Sequence, residues 1–91
     1  MALEDRFNFE DLVNESERAV FDELERQLGS AVDATTEDAI LDMAAYALNH
    51  VAPRYRVNLL GRLYARGQDE AFEANVTEAV REAVSVVRSE K

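Results

Sequence analysis

Two arginines flank a tyrosine directly after the chain's only proline, in the order Pro53-Arg54-Tyr55-Arg56. Side chains alternate along an extended segment, so Arg54 and Arg56 would share one side and Tyr55 would take the other. Two guanidinium forks on one face suit a phosphate or the O6/N7 edge of guanine. A tyrosine or arginine plane can stack on a base. Just upstream, Asp42, Tyr46 and Asn49 recur at i, i+4 and i+7 and offer a carboxylate, a phenol and an amide. At 100° per residue they are expected to point away from an Ile40/Ala44/Ala47/Val51 stripe, toward the same helix exit. Arg62 and Arg66 are secondary candidates for the same anion. The plainer alternative is a solvated helix face next to arginines that pair with local carboxylates. Exposed pairs of that kind are worth about 0–1 kcal/mol each and would not hold the cluster against a competing multivalent anion.

Charge is distributed in a way that favours the anion reading. The chain of 91 residues carries a formal net charge of −9. A body of that sign repels nucleic-acid backbones and anionic membranes. Yet no acidic residue occurs from Met43 to Gln68, where Arg54, Arg56, Arg62 and Arg66 give +4 and leave −13 for the remainder. A local anion site on a repulsive body is one reading, and chance clustering in a loop is the other.

Other chemistries find no support. The sequence holds no cysteine and one histidine, His50, which excludes disulfides and the common thiolate or histidine metal sites. No glycine-rich phosphate loop is present, and no nucleophile sits beside an evident base. His50 reads as a structural or surface residue, and carboxylate clusters such as Asp22/Glu23/Glu25 read as solvated. An enzyme is not expected. The charged start MALEDRFNFE lacks an apolar signal core, and no apolar run is long enough to span a bilayer. The expectation is a soluble, cytoplasmic protein without a membrane partner.

These residues must be positioned by a small scaffold. Length suits a single domain over residues 1–91, and 47% hydrophobic with 32% charged residues suits a folded one. So short a chain buries a thin core, for which dimerisation is a natural remedy. Phe9, Leu12, Val13, Val20, Leu24 and Leu28 recur at helical spacing and predict a helix from Asn8 to Leu28, capped by Asn8 with Asp11 and stopped by Gly29. A second helix is predicted from Thr35 or Thr36, with Thr35 and Asp38 as a box and a stripe of Ile40, Met43, Ala44, Ala47 and Val51. Pro53 ends it near Val51. A third is predicted over Asp69–Val87 on Phe72, Val76, Ala79, Val80, Ala83 and Val87. Between the last two, APRYRVNLLGRLYARG is too apolar for a free linker and predicts a short extended segment with a turn at Gly61. The fold class is therefore mostly α: a three- to four-helix domain with a short extended segment, expected as a dimer.

The run LDMAAYALNHVAPRYRV resembles the signature of the ComFB family, named for late competence development, in which D-x-A-x-x-A-L-N-x-L-P-P-[RK]-Y closes a helix. Asp42, Ala44, Ala47, Leu48, Asn49, Pro53, Arg54 and Tyr55 match it, while Val51 replaces a leucine and Ala52 the first proline. LVNESERAVFDELERQL is similar to the family's amino-terminal helix. The resemblance implies a helical homodimer and a receptor for cyclic dinucleotides, cyclic di-GMP or cyclic di-AMP. It also implies a cysteine cluster for zinc in some members. Here the corresponding GSAVDATTED has no cysteine, so that feature does not carry over. On this reading Arg54 and Arg56 are first contacts, and Asp42, Tyr46, Asn49 and Tyr55 line or support the pocket. The Asp42 carboxylate can also accept from guanine N1 and N2. The leading expectation is a non-enzymatic receptor that signals through a downstream protein. The alternatives are a homodimeric adaptor without a nucleotide ligand, with the arginines in its interface, and a nucleic-acid-associated competence factor, disfavoured by the charge.

Overall fold

The computed structural model describes residues 2–57 and 70–90. A short helix α1 (Leu3–Arg6) leads to strand β1 (Val13–Asn14) and helix α2 (Glu15–Leu28). A 3-10 helix (Gly29–Ala34), helix α3 (Glu37–Leu48), strand β2 (Tyr55–Arg56) and helix α4 (Glu70–Glu90) follow. The fold is mostly α, with four α-helices among the described residues and one two-stranded antiparallel sheet. Val13 pairs with Arg56 and Asn14 with Tyr55.

Helix α2 starts six residues later than the apolar spacing predicts. Asn14, not Asn8, is its cap, and the Asn14 side chain accepts from the Ser16 backbone N–H at 3.0 Å. Asn8 performs similar chemistry without a helix, its Oδ1 accepting from the Glu10 N–H at 2.8 Å. Phe9 and Leu12 are consequently exposed rather than packed. Gly29 ends α2 as expected. Its φ of 55° and ψ of −131° are costly for a residue with a Cβ.

Helix α3 is capped by Thr36, whose hydroxyl accepts from the Ala39 N–H at 3.1 Å. Thr35 instead donates its hydroxyl back to the Ala31 carbonyl. The helix ends at Leu48, one turn before Val51. Asn49 closes it, and the His50 N–H turns back to the Ala47 carbonyl at 2.9 Å. Helix α4 starts near the predicted position and runs to Glu90.

The three long helices share one core. Val20, Leu24 and Leu28 from α2 meet Ala39, Met43, Ala44 and Ala47 from α3, followed by Val51. Val76, Ala79, Val80, Ala83 and Val87 complete it from α4. Helices α3 and α4 make the most extensive contact. Small alanines on both faces let the two backbones approach closely. Such a core buries few methylenes per residue, at about 0.8 kcal/mol each, so stability depends on tertiary hydrogen bonds as well. One of these is Gln27 Nε2 donating to the Thr77 carbonyl at 2.9 Å, which joins α2 to α4.

Candidate functional site

The exit of α3 is held by a clasp from the start of α2. Ser16 is fully buried, and its Oγ donates to the Ala52 carbonyl at 2.6 Å. Asn14 Oδ1 accepts a second hydrogen bond, from the Arg54 N–H at 2.8 Å. The Glu15 N–H donates to the Arg54 carbonyl at 2.7 Å. Backbone on both sides of Pro53 is therefore fixed by three consecutive residues from far along the chain. Proline has no N–H and a locked φ, so the segment cannot continue the helix and its polar groups need such partners.

Arg54 immediately precedes strand β2 and Arg56 ends it. Arg54 and Arg56 are half-buried and Tyr55 between them is exposed, the alternation an extended segment imposes. The Arg54 guanidinium lies over the Phe72 ring of α4, 3.9 Å from its centroid. A cation at that distance from an aromatic face is attracted by about 0.5–2 kcal/mol, which holds the fork in one place. Arg56 Nη1 donates to the neighbouring Tyr55 carbonyl at 2.7 Å.

The upstream trio is arranged otherwise than its spacing predicts. Asp42 and Asn49 are exposed, but Tyr46 is half-buried and packs against the core. Tyr46 lies only about 60° around the helix from Met43, so it borders the buried face rather than opposing it. Its hydroxyl donates to Glu82 Oε1 of α4 at 2.5 Å. The accepting carboxylate holds the phenol above the ordinary tyrosine range, and desolvation and the charge of Glu82 push the same way. The Tyr46 ring stacks on His50, centroids 4.4 Å apart and planes 18° from parallel. His50 Nδ1 sits 2.7 Å from the Tyr46 carbonyl, and Asn75 Nδ2 donates to the His50 carbonyl at 3.4 Å. Among the described residues neither Tyr46 nor Asn49 bonds to Arg54 or Arg56. Arg62 and Arg66, and the turn predicted at Gly61, lie outside the described residues.

The sequence reading missed Asn14, Ser16, Phe72 and Glu82 as residues that build this region. Asn14 had a signal, since Glu17 follows it by three in a box-like pattern. Phe72 was assigned only to the apolar stripe. For Glu82 no local pattern exists.

Fold and site define a small α-helical domain whose helix-exit strand presents arginines. A family model described as late competence development protein ComFB matches residues 13–91. The chain belongs to the ComFB family. The match opens at Val13, the first residue of β1, so the exposed Leu3, Phe7, Phe9 and Leu12 precede it. No curated protein matches the chain. No helix among the described residues is long and apolar enough to cross a membrane.

Proposed function

We propose that this chain is a non-enzymatic receptor for a cyclic dinucleotide, cyclic di-GMP before cyclic di-AMP, that acts through a protein partner and requires no metal or other cofactor. The observation that carries the reading is the fixed exit strand. Arg54 is braced on Phe72, the backbone beneath it is tied to Asn14 and Glu15, and Arg56 follows two residues on in extended chain. Guanidinium forks ordered before binding lose less entropy on meeting a phosphate or guanine edge. Tyr55, more than half exposed, is available to a base. Tyr46 supports the region through Glu82 and His50 rather than through the ligand. Family membership is consistent with the reading.

Titration calorimetry with cyclic di-GMP, cyclic di-AMP and GTP tests it. Saturable heat with a cyclic dinucleotide and none with GTP is expected, and no heat with either cyclic dinucleotide refutes it. The second reading, a homodimeric adaptor without a nucleotide, is favoured by the exposed apolar residues Leu3, Phe7, Phe9 and Leu12. It predicts a dimer that loses mass when Arg54 is replaced.

A further inference from the structure

Three of the exposed large apolar side chains, Phe21, Val32 and Leu41, ring a single groove where α2, the 3-10 helix and α3 meet. Its volume is about 290 Å³, and the buried Leu24, Leu28 and Ala44 form its floor. Leu41 is 59% exposed on the α3 wall. The α2 wall runs from Phe21 to Leu28, which is two helical turns or about 10 Å. That length accepts two turns of a partner helix with apolar anchors at i, i+4 and i+7.

Charge selects the kind of helix. The three elements that build the groove carry nine acidic residues and two arginines, a net −7. Both arginines are already paired, Arg18 with Asp22 and Arg26 with Glu23. Glu25 lines the groove. Glu17 lies one turn before Phe21, and Glu37 and Asp38 lie one turn before Leu41, on the same helix faces. Among the described residues these four acids form no ion pair. A second copy meeting this face would set acid against acid. The chain's own first segment, residues 2–12, holds four acids and one arginine and meets the same repulsion.

We infer that the groove between α2 and α3 docks a basic amphipathic helix of a partner protein. The partner's apolar stripe lies between Phe21 and Leu41, and its lysines or arginines face Glu17, Glu25, Glu37 and Asp38. This goes beyond the receptor reading by naming the class of partner, and the docking itself needs no messenger.

The test uses the full chain and a fluorescent synthetic peptide of about five turns, with leucines at i, i+4, i+7 and i+11 and lysines elsewhere. A counter-probe keeps the leucines and replaces lysine by glutamate. Fluorescence anisotropy is expected to show saturable binding of the basic peptide alone, weakened as salt shortens the screening length. Leu41→Ser leaves the charge unchanged and is expected to weaken binding about tenfold or more, because one apolar anchor is lost. Arg54→Ala is expected to leave it unchanged, so failure here and failure of the receptor reading are separable. Absence of binding by the basic peptide overturns the inference, as does equal binding of the acidic probe. Basic-peptide binding indifferent to both Leu41→Ser and Phe21→Ser overturns it as mere charge adhesion. A sedimenting dimer that Leu41→Ser dissociates assigns the groove to a second copy, and binding that appears only after deletion of residues 2–12 assigns it to the chain's own first segment. Either result overturns it too.

Discussion

Replacing Asn14 by alanine removes one carbonyl oxygen that accepts two backbone N–H groups, from Ser16 at 3.0 Å and from Arg54 at 2.8 Å. The first bond caps α2, and loss of such a cap costs about 1 kcal/mol. The second satisfies a part-buried N–H beside Pro53, and leaving a buried donor without its partner costs about 1–3 kcal/mol. At the low end of the second range, because the site is only part-buried, the sum is about 2–3 kcal/mol. In a domain of this size each kcal/mol moves the melting temperature by about 4–8 °C, so a drop of about 10–20 °C is expected. Asn14→Asp keeps an acceptor in place and suits the positive end of a helix, so it is expected to hold most of the stability. Thermal unfolding followed by far-UV circular dichroism reads both variants. Because the clasp also fixes Arg54, Asn14→Ala should weaken messenger binding below the melting transition while Asn14→Asp retains it. An Asn14→Ala variant that melts with the parent, or an Asn14→Asp variant as unstable as the alanine one, would refute the clasp as the support of the exit segment.

Gly29→Ala meets no side chain, since nothing lies within 4 Å of an added Cβ, so its cost of about 1–3 kcal/mol comes from backbone conformation alone; urea unfolding is expected to show that loss. Met43→Ala empties a position 1% exposed and is expected to cost about 2–5 kcal/mol, while Leu41→Ala, two residues away and 59% exposed, stays within about 0.5 kcal/mol; equal effects would misplace the core face of α3. The Tyr46 phenol is held above the usual tyrosine range by Glu82, so it stabilises the fold below the unfolded tyrosine value, and the contribution is lost as pH rises through the folded one. Ultraviolet titration of tyrosinate should show the Tyr46 group shifting down in Glu82→Gln, and no change would remove that hydrogen bond from the account.

Much of this architecture could be read locally. Gly29 and the α4 stripe from Val76 to Val87 are where helical periodicity and end chemistry place them, while the cap of α3 falls on Thr36, one residue past the Thr35 of the expected box. The predicted first helix is too long because Phe9, Leu12 and Val13 fall at helical spacing by coincidence, while the deciding interaction is the pairing of Val13 and Asn14 with Arg56 and Tyr55, some forty residues distant. No window along the chain contains both partners. The extended character of the chain after Pro53 was legible from that proline. Tyr46 opposes the Ala44/Ala47 stripe only loosely and lies about 60° from Met43, which draws it to the border of the core. The Phe72 platform under Arg54 and the Glu82 partner of Tyr46 depend on how α4 packs across α3, which composition and spacing do not encode.

Arg54 and Arg56 are the centre of the account, and cyclic di-GMP titrated into the parent chain, Arg54→Ala and Arg56→Ala measures them directly. A charged hydrogen bond is worth about 1.5–3 kcal/mol, so each replacement is expected to weaken saturable binding about tenfold or more at unchanged mass, with Arg54→Ala also losing the Phe72 contact. Binding by the parent that both variants retain in full, or no binding by the parent at all, would contradict it.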